Sequence, residues 1–306
     1  MINRRQTIQL SVSLLASPLL GWSSGAVAGQ LALIQRRIPS SGELVPVIGM
    51  GTSRTFDTSI TAESIASLTR VMQAFFNGGG KVIDSSPMYG NAETRIGDVL
   101  RTIQNPPPVF AATKVWTSGK ARGIAQMEES ARRMDVNKFD LIAIHNLKDW
   151  KTQLATLKRW KEEGKLRYIG ITTSHGHNHA DLIDVMRREP LDFVQFSYNI
   201  KDREAEQVLL PLAHDRGIAT MINRPYQRGA LFAKAHDRAL PELASELDCN
   251  SWGQFYLKFI LGHPAVTCVI PATSSVEHMT DNMQANLGPV PDATQRAEML
   301  KIFESM

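Results

Sequence analysis

The chain is 306 residues long, with 34 Lys plus Arg against 30 Asp plus Glu, a formal charge of +4. At 43% hydrophobic and 21% charged residues it has the apolar material for a large core and is neither disordered nor fibrous. The small basic excess forms no Lys/Arg stripe interleaved with aromatics, which argues against nucleic-acid binding. Two cysteines, Cys249 and Cys268, leave room for one bridge but exclude a disulfide framework and a four-cysteine zinc module.

Residues 1–28 differ from the rest. Arg4-Arg5 precede a run of apolar and small residues to Leu20, and Ala26-Val27-Ala28 follows with A-x-A spacing. A charged start, an apolar middle and a small-residue cleavage site describe a secretory signal peptide. Paired arginines specify the twin-arginine route, so the expected partner is the twin-arginine translocation machinery and the expected location the periplasm. The apolar run is shorter than the ~20 residues of a spanning helix, and Pro18 interrupts it. The mature chain, 29–306, has no spanning stretch and is expected not to be membrane-embedded.

Residues 34–38 and 44–48 flank Pro39-Ser40-Ser41-Gly42 and predict a hairpin. Eight short β-rich runs follow: one ending near Gly49, then 82–84, 109–112, 141–144, 168–171, 193–196, 218–221 and 266–270. Between them lie helical patterns such as 62–76 and 150–163, where apolar positions recur at spacings of three and four. Gly78-Gly79-Gly80 precedes a strand instead of following one, so it reads as a helix end and not as a phosphate turn. The alternation fits a doubly wound open sheet or an eight-fold barrel. The missing glycine-rich turn and a mature length close to the ~250 residues such a barrel typically takes favour the barrel: an α/β, (β/α)8 TIM barrel, residues 29–306, with a short N-terminal β-hairpin across one mouth. Residues 229–250 read as a partly helical excursion over the active face, and 294–304 as a last helix outside the barrel.

In such a barrel, chemistry sits at the carboxyl ends of the strands. Asp84, Lys114 and His145 end three consecutive strands, 30 and 31 residues apart. Neighbouring strands lie ~4.8 Å apart, so these side chains can converge. Tyr89 stands five residues past Asp84, in a loop able to fold the phenol over Lys114. A phenol is a weak acid, with a pKa of ~10; a nearby ammonium is expected to lower that value. Asp84 would keep the lysine charged in a partly dry pocket, and His145 could donate a hydrogen bond to a carbonyl. Together they could protonate a carbonyl oxygen while hydride reaches the carbon.

These residues resemble the aldo/keto reductase superfamily over nearly the whole mature chain. The stretch from Asp84 to Glu93 with Ile96-Gly97 is similar to the family's most specific signature, Gly49-Met50-Gly51-Thr52 to its first-strand turn, and Thr113-Lys114-Val115-Trp116 to its lysine strand. The resemblance implies metal-free reduction of a small-molecule aldehyde or ketone with NADP(H), NAD(H) being the alternative coenzyme. It carries the proton-donor role to Tyr89, assistance to Asp84 and Lys114, and substrate orientation to His145. Gly51 and Thr52 belong to its coenzyme site, Gln195 would hold the nicotinamide amide, and 272–282 the adenosine half, with Asp281 and Asn282 near adenine.

Several positions depart from the family's pattern. Thr172-Thr173 stand where Ser-Asn is common. Asn223-Arg224-Pro225 replaces an aromatic that stacks on nicotinamide, so Arg224 would contact phosphate or ribose instead. Ala272 and His278 replace the basic pair of NADPH-preferring members, leaving Ser274, Ser275 and Arg228 as candidate phosphate donors. Two other readings stay open: a barrel metallohydrolase using His175, His177 and His179, which alternate after the fifth strand with Asp181 beyond, and a non-catalytic coenzyme-binding redox sensor.

Overall fold

A computed structural model describes residues 32–306, so the leader expected over 1–28 lies outside the described residues. The first two strands, β1 (Gln35–Arg37) and β2 (Leu44–Pro46), pair antiparallel with Arg36 opposite Val45, which is the hairpin. Eight parallel strands follow: β3 (Met50–Gly51), β4 (Val82–Asp84), β5 (Phe110–Val115), β6 (Phe139–His145), β7 (Leu166–Thr172), β8 (Phe193–Ser197), β9 (Ala219–Asn223) and β10 (Cys268–Val269). They are hydrogen-bonded in sequential order. The ring closes where Ile48 bridges Val269 and Gly51 bridges Ala272. There Gly49 N–H donates to the Val269 carbonyl at 2.8 Å and Gly51 N–H to that of Pro271 at 3.0 Å. Closure removes the free edges of an open sheet and makes this a (β/α)8 barrel.

Helices occupy the crossovers: α1 (Ala62–Asn77), α2 (Ala92–Thr102), α3 (Lys120–Met134), α4 (Trp150–Glu162), α5 (His179–Arg188) and α6 (Leu209–Asp215). Two short helices, α7 (Phe232–Ala235) and α8 (Glu242–Glu246), build the excursion before α9 (Trp252–Leu261), α10 (Val276–Gln284) and α11 (Ala293–Ser305). Local chemistry sets their ends. Thr61 and Ser64 cap α1 reciprocally, and Gly78 closes it, its N–H donating to Ala74. Among the described residues no helix is long and apolar enough to cross a membrane.

Side chains on a strand alternate between faces, and this period-two pattern positions the site. Val82, Phe110, Leu141, Tyr168, Phe193 and Met221 point inward and form one cluster with Ile38 and Val45 of the hairpin region. The hairpin thereby plugs the amino-terminal mouth. Its turn is tied down by the Tyr168 hydroxyl, 2.7 Å from Ser41 and 2.6 Å from Glu43. Their neighbours Ile83, Ala111, Ile142, Ile169 and Val194 point outward into the larger layer beneath the helices. Stepping by two toward the carboxyl ends, the inward positions become Asp84, Lys114, His145, Thr172 and Gln195, all buried.

Cys249 and Cys268 are both buried and unpaired, so the one bridge the composition allows is not formed. Burial pushes each thiol up to about 12.

Gly97 of α2 lies against the backbone of α3, where an added Cβ would press into the carbonyl oxygen of Arg133. Gly97→Ala should therefore destabilise the fold by ~1–3 kcal/mol, read as a lower urea midpoint. An unchanged midpoint would contradict this close helix approach.

Candidate active site

At the carboxyl end of the barrel, the β4–β5 ladder places Asp84 opposite Ala112, two residues short of Lys114. The lysine side chain reaches across that gap. Its Nζ donates to Asp84 Oδ2 at 2.6 Å and to the Ser85 carbonyl at 2.8 Å, and no part of the lysine side chain is exposed. Burial alone would push the Asp84 carboxyl up and the Lys114 ammonium down. Asp84 remains above its ordinary value, but its charge and its hydrogen bond carry Lys114 above its own, so the ammonium stays protonated.

Residues 85–91 fold the loop after β4 back over this pair. Thr52 Oγ1 ties its start, bonding the Asp84 carbonyl at 2.9 Å and lying 3.0 Å from Ser85 Oγ. At its end, Asp57 accepts from the Asn91 backbone N–H at 2.9 Å. Gly90 makes the turn with φ +59°, and a side chain there would run into the Asp57 carboxylate. The loop thus sets Tyr89 with its ring centroid 5.1 Å from Lys114 Nζ and edge-on to His145, 5.8 Å between ring centres. The expected lowering of the phenol's pKa by Lys114 is opposed by a larger effect. Burial raises it, the ammonium only pulls it partly back, and Tyr89 stays above its ordinary value.

His145 ends β6 opposite Thr172, which in turn lies opposite Gln195. Its Nδ1 is 2.9 Å from Ser86 Oγ. That oxygen also accepts the Met88 N–H at 3.3 Å. Where the hydroxyl donates to Nδ1, the ring carries its proton on Nε2. Burial, with the charge of Lys114, pushes His145 down to about 3, so the ring is a neutral donor.

Asp84, Tyr89 and His145, with the fully buried Lys114 behind Asp84, line a cleft of about 1390 Å³. Of the expected coenzyme residues, Gly51, Thr52, Thr172, Thr173, Gln195, Arg224, Pro225, Arg228, Ala272, His278, Asp281 and Asn282 all line it. Thr172 Oγ1 donates to Gln195 Oε1 at 2.9 Å, which orients the amide. Asp281 is held by Ser251 at 2.7 Å and Gln254 at 2.6 Å. Ser274 is the exception. It is exposed and does not line the cleft; buried Thr273 lines it instead. Ser275 caps α10, accepting from the His278 N–H at 3.2 Å, which commits that oxygen to the helix end.

The histidine trio does not assemble a metal site. His175 and His177 stack with 6.1 Å between ring centres, while His179 begins α5 and lies 3.3 Å from Glu204. Among the described residues no three His, Cys, Asp or Glu side chains gather as ligands.

Sequence reasoning missed Arg54, Asp57, Tyr226, Phe232 and Trp252, which also line the cleft. Arg54 was within reach, because it stands three residues past Gly51 of β3, where barrel loops carry function. Tyr226 is the aromatic of the loop after β9; its hydroxyl lies 2.6 Å from Asn282 Oδ1. Asn223, where a stacking aromatic was looked for, instead bonds the Thr173 carbonyl at 3.0 Å and the Ser197 hydroxyl at 2.6 Å.

Comparison with known proteins agrees with this architecture. The model of the family described as the aldo/keto reductase family matches residues 47–297. The aldo-keto reductase YhdN of Bacillus subtilis is 27% identical over 61% of this chain and 60% of its own length. The methylglyoxal reductase YeaE of Escherichia coli is 25% identical over 81% of this chain and 88% of its own. An aldo/keto reductase from Klebsiella pneumoniae, solved in complex with NADP and acetate, superimposes with a TM-score of 0.69 at 23% identity, covering 86% of this chain and 93% of its own.

In an unfolded chain His145 would titrate near ~6.5, and in the fold it does so at about 3. The stability gained by keeping the ring neutral is full above the unfolded value and is lost as the pH falls toward the folded one. His145→Gln should therefore flatten the fall of the urea midpoint between about pH 7 and about pH 4. A slope equal to that of the parent would contradict the buried neutral ring.

Proposed function

Since this chain belongs to the aldo/keto reductase family, we propose that it reduces an aldehyde or ketone to the alcohol, with NADP(H) as coenzyme and Tyr89 as proton donor. The observation that carries this reading is the convergence of Tyr89, His145 and the buried Asp84–Lys114 pair on one wall of the cleft.

The residues present fit a nicotinamide dinucleotide. The cleft exceeds the ~300–1,000 Å³ of ordinary small-ligand pockets. Two buried polar atoms in its lining residues lack partners, Thr173 Oγ1 and Arg224 Nη1, which suit a carboxamide and a phosphate respectively. Gln195 and Thr172 would complete the carboxamide contacts, Arg224 and Arg228 would meet the diphosphate, and 272–282 would hold the adenosine half. The Klebsiella protein's NADP supports NADP(H). NAD(H) is the alternative, because Ala272 and His278 are exposed and place no permanent cation at that end.

Bound nicotinamide supplies the hydride. His145 Nε2–H and the Tyr89 hydroxyl grip the carbonyl oxygen and polarise it. As the carbon accepts hydride, the phenol proton passes to the oxygen, and Lys114 stabilises the phenolate left behind, its own charge held by Asp84. Burial keeps the phenol protonated through the neutral range, which is the form an acid needs. The similarity to a methylglyoxal reductase supports a small carbonyl compound as substrate.

We propose further that Arg4-Arg5 direct export of the folded protein to the periplasm with coenzyme aboard, since free coenzyme is scarce outside the cytoplasm. Coenzyme-free protein in every periplasmic preparation would overturn this.

Tyr89→Phe should lower turnover of a carbonyl panel by ~100-fold or more while leaving coenzyme affinity within about two-fold. Unimpaired turnover would remove the phenol from the proton-donor role.

A further inference from the structure

Three arginines, Arg54, Arg224 and Arg228, line the same cleft from two loops, one after β3 and one after β9. None has a carboxylate within 4.0 Å or a side-chain hydrogen bond among the described residues, although nine other arginines there form ion pairs. All three sit in the left-handed backbone region, at φ 68°, 54° and 60°. A branched-off side chain there costs backbone energy, and such strain concentrates where a side chain must be aimed. The charges sense one another: burial, then Arg228 and Arg54, hold Arg224 below its ordinary value, with Asp202 opposing. Burial and the same three arginines, with His177, depress His175. This part of the cleft is a cationic field in which no carboxylate pairs directly with any of the three guanidiniums.

A coenzyme diphosphate carries two negative charges, which Arg224 and Arg228 match. Arg54 is left over, and its loop is fastened elsewhere. Three residues on, Asp57 holds the Asn91 backbone at 2.9 Å and its side-chain amide at 3.3 Å, so Arg54 is carried by the loop that positions Tyr89. An exposed guanidinium on the proton donor's side of the cleft is suited to a charged group on the molecule being reduced.

We propose that Arg54 is the specificity-determining residue for an anionic substrate, a carbonyl compound that also bears a carboxylate or phosphate, held by that guanidinium with its carbonyl at Tyr89. This rests on the carbonyl-reduction reading for what is reduced, but not for what is bound.

The test uses the full-length mature protein, with and without NADP+, and a matched pair of probes: 4-(hydroxymethyl)benzoate and its uncharged methyl ester. Dissociation constants are measured for the parent, Arg54→Gln and Arg54→Lys, alongside that of NADP+. The parent should prefer the charged probe. Arg54→Gln should weaken it by about 10-fold or more, leave the ester and NADP+ within about two-fold, and Arg54→Lys should restore most of the loss. With the corresponding aldehydes, the Arg54→Gln defect should appear in KM and not in kcat. Equal effects on both probes, or no effect, would overturn the proposal. So would a 10-fold loss of NADP+ with an unchanged probe ratio, which would place the guanidinium on the coenzyme's phosphates. If the charged probe behaves as expected and neither aldehyde is turned over, the anion site stands and the carbonyl-reduction reading fails.

Discussion

The Asp84–Lys114 ion pair is the constraint around which the carboxyl end of this barrel is organised. Two charges 2.6 Å apart, with side chains 5% and 0% exposed, survive burial only because each is the other's counter-ion. Removing one partner of such a pair typically costs about 3–5 kcal/mol, since the other is left uncompensated. The second contact of that ammonium, from Nζ to the Ser85 carbonyl at 2.8 Å, anchors the first residue of the loop that delivers Tyr89. One side chain therefore spans two strands, neutralises a buried carboxylate and fastens the loop carrying the proposed acid.

Burial and charge compete throughout this site, and the outcome differs at each group. For His145 the two act together, because desolvation and the neighbouring ammonium both disfavour imidazolium, and the ring is neutral. For Tyr89 they oppose, and desolvation wins. The result is a neutral phenol and a neutral imidazole beside an ammonium whose charge Asp84 balances, with both neutral groups able to donate hydrogen bonds to a bound oxygen. Toward the cleft's opening the balance reverses. Arg54, Arg224 and Arg228 are partly open to water, unpaired by protein, and cationic. The cleft thus runs from a compensated, dry floor to an uncompensated, wet rim.

The polar residues at the strand ends were legible because strand chemistry is periodic and local. Asp84, Lys114 and His145 could be read one β/α unit apart, and Thr172 and Gln195 followed from the family's pattern. Gly78 closing α1 and the hairpin before the barrel were readable for the same reason, as glycine and turn chemistry act within a few residues. What failed was non-local. The sign of the shift at Tyr89 depends on how deeply the loop buries it. The alternating histidines looked like ligands on paper, yet they part because His179 begins a helix while His175 turns at φ 64°. Ser274 and Ser275 were interchangeable as phosphate donors until the start of α10 claimed one and solvent the other. Arg54 and Tyr226 went unnoticed because each lies on a loop, where no periodicity announces direction, and Trp252 because it opens α9 far along the chain from the strand ends.

By itself the sequence determined the order of strands and helices, the inward parity of the polar strand-end residues and the class of fold, since these depend on hydrophobic and glycine spacing within each β/α unit. The tertiary structure decided which polar groups are compensated and which are not. That outcome depends on distances between segments far apart in the chain and on how much water each group keeps, and Coulomb and desolvation energies are properties of the assembled cleft.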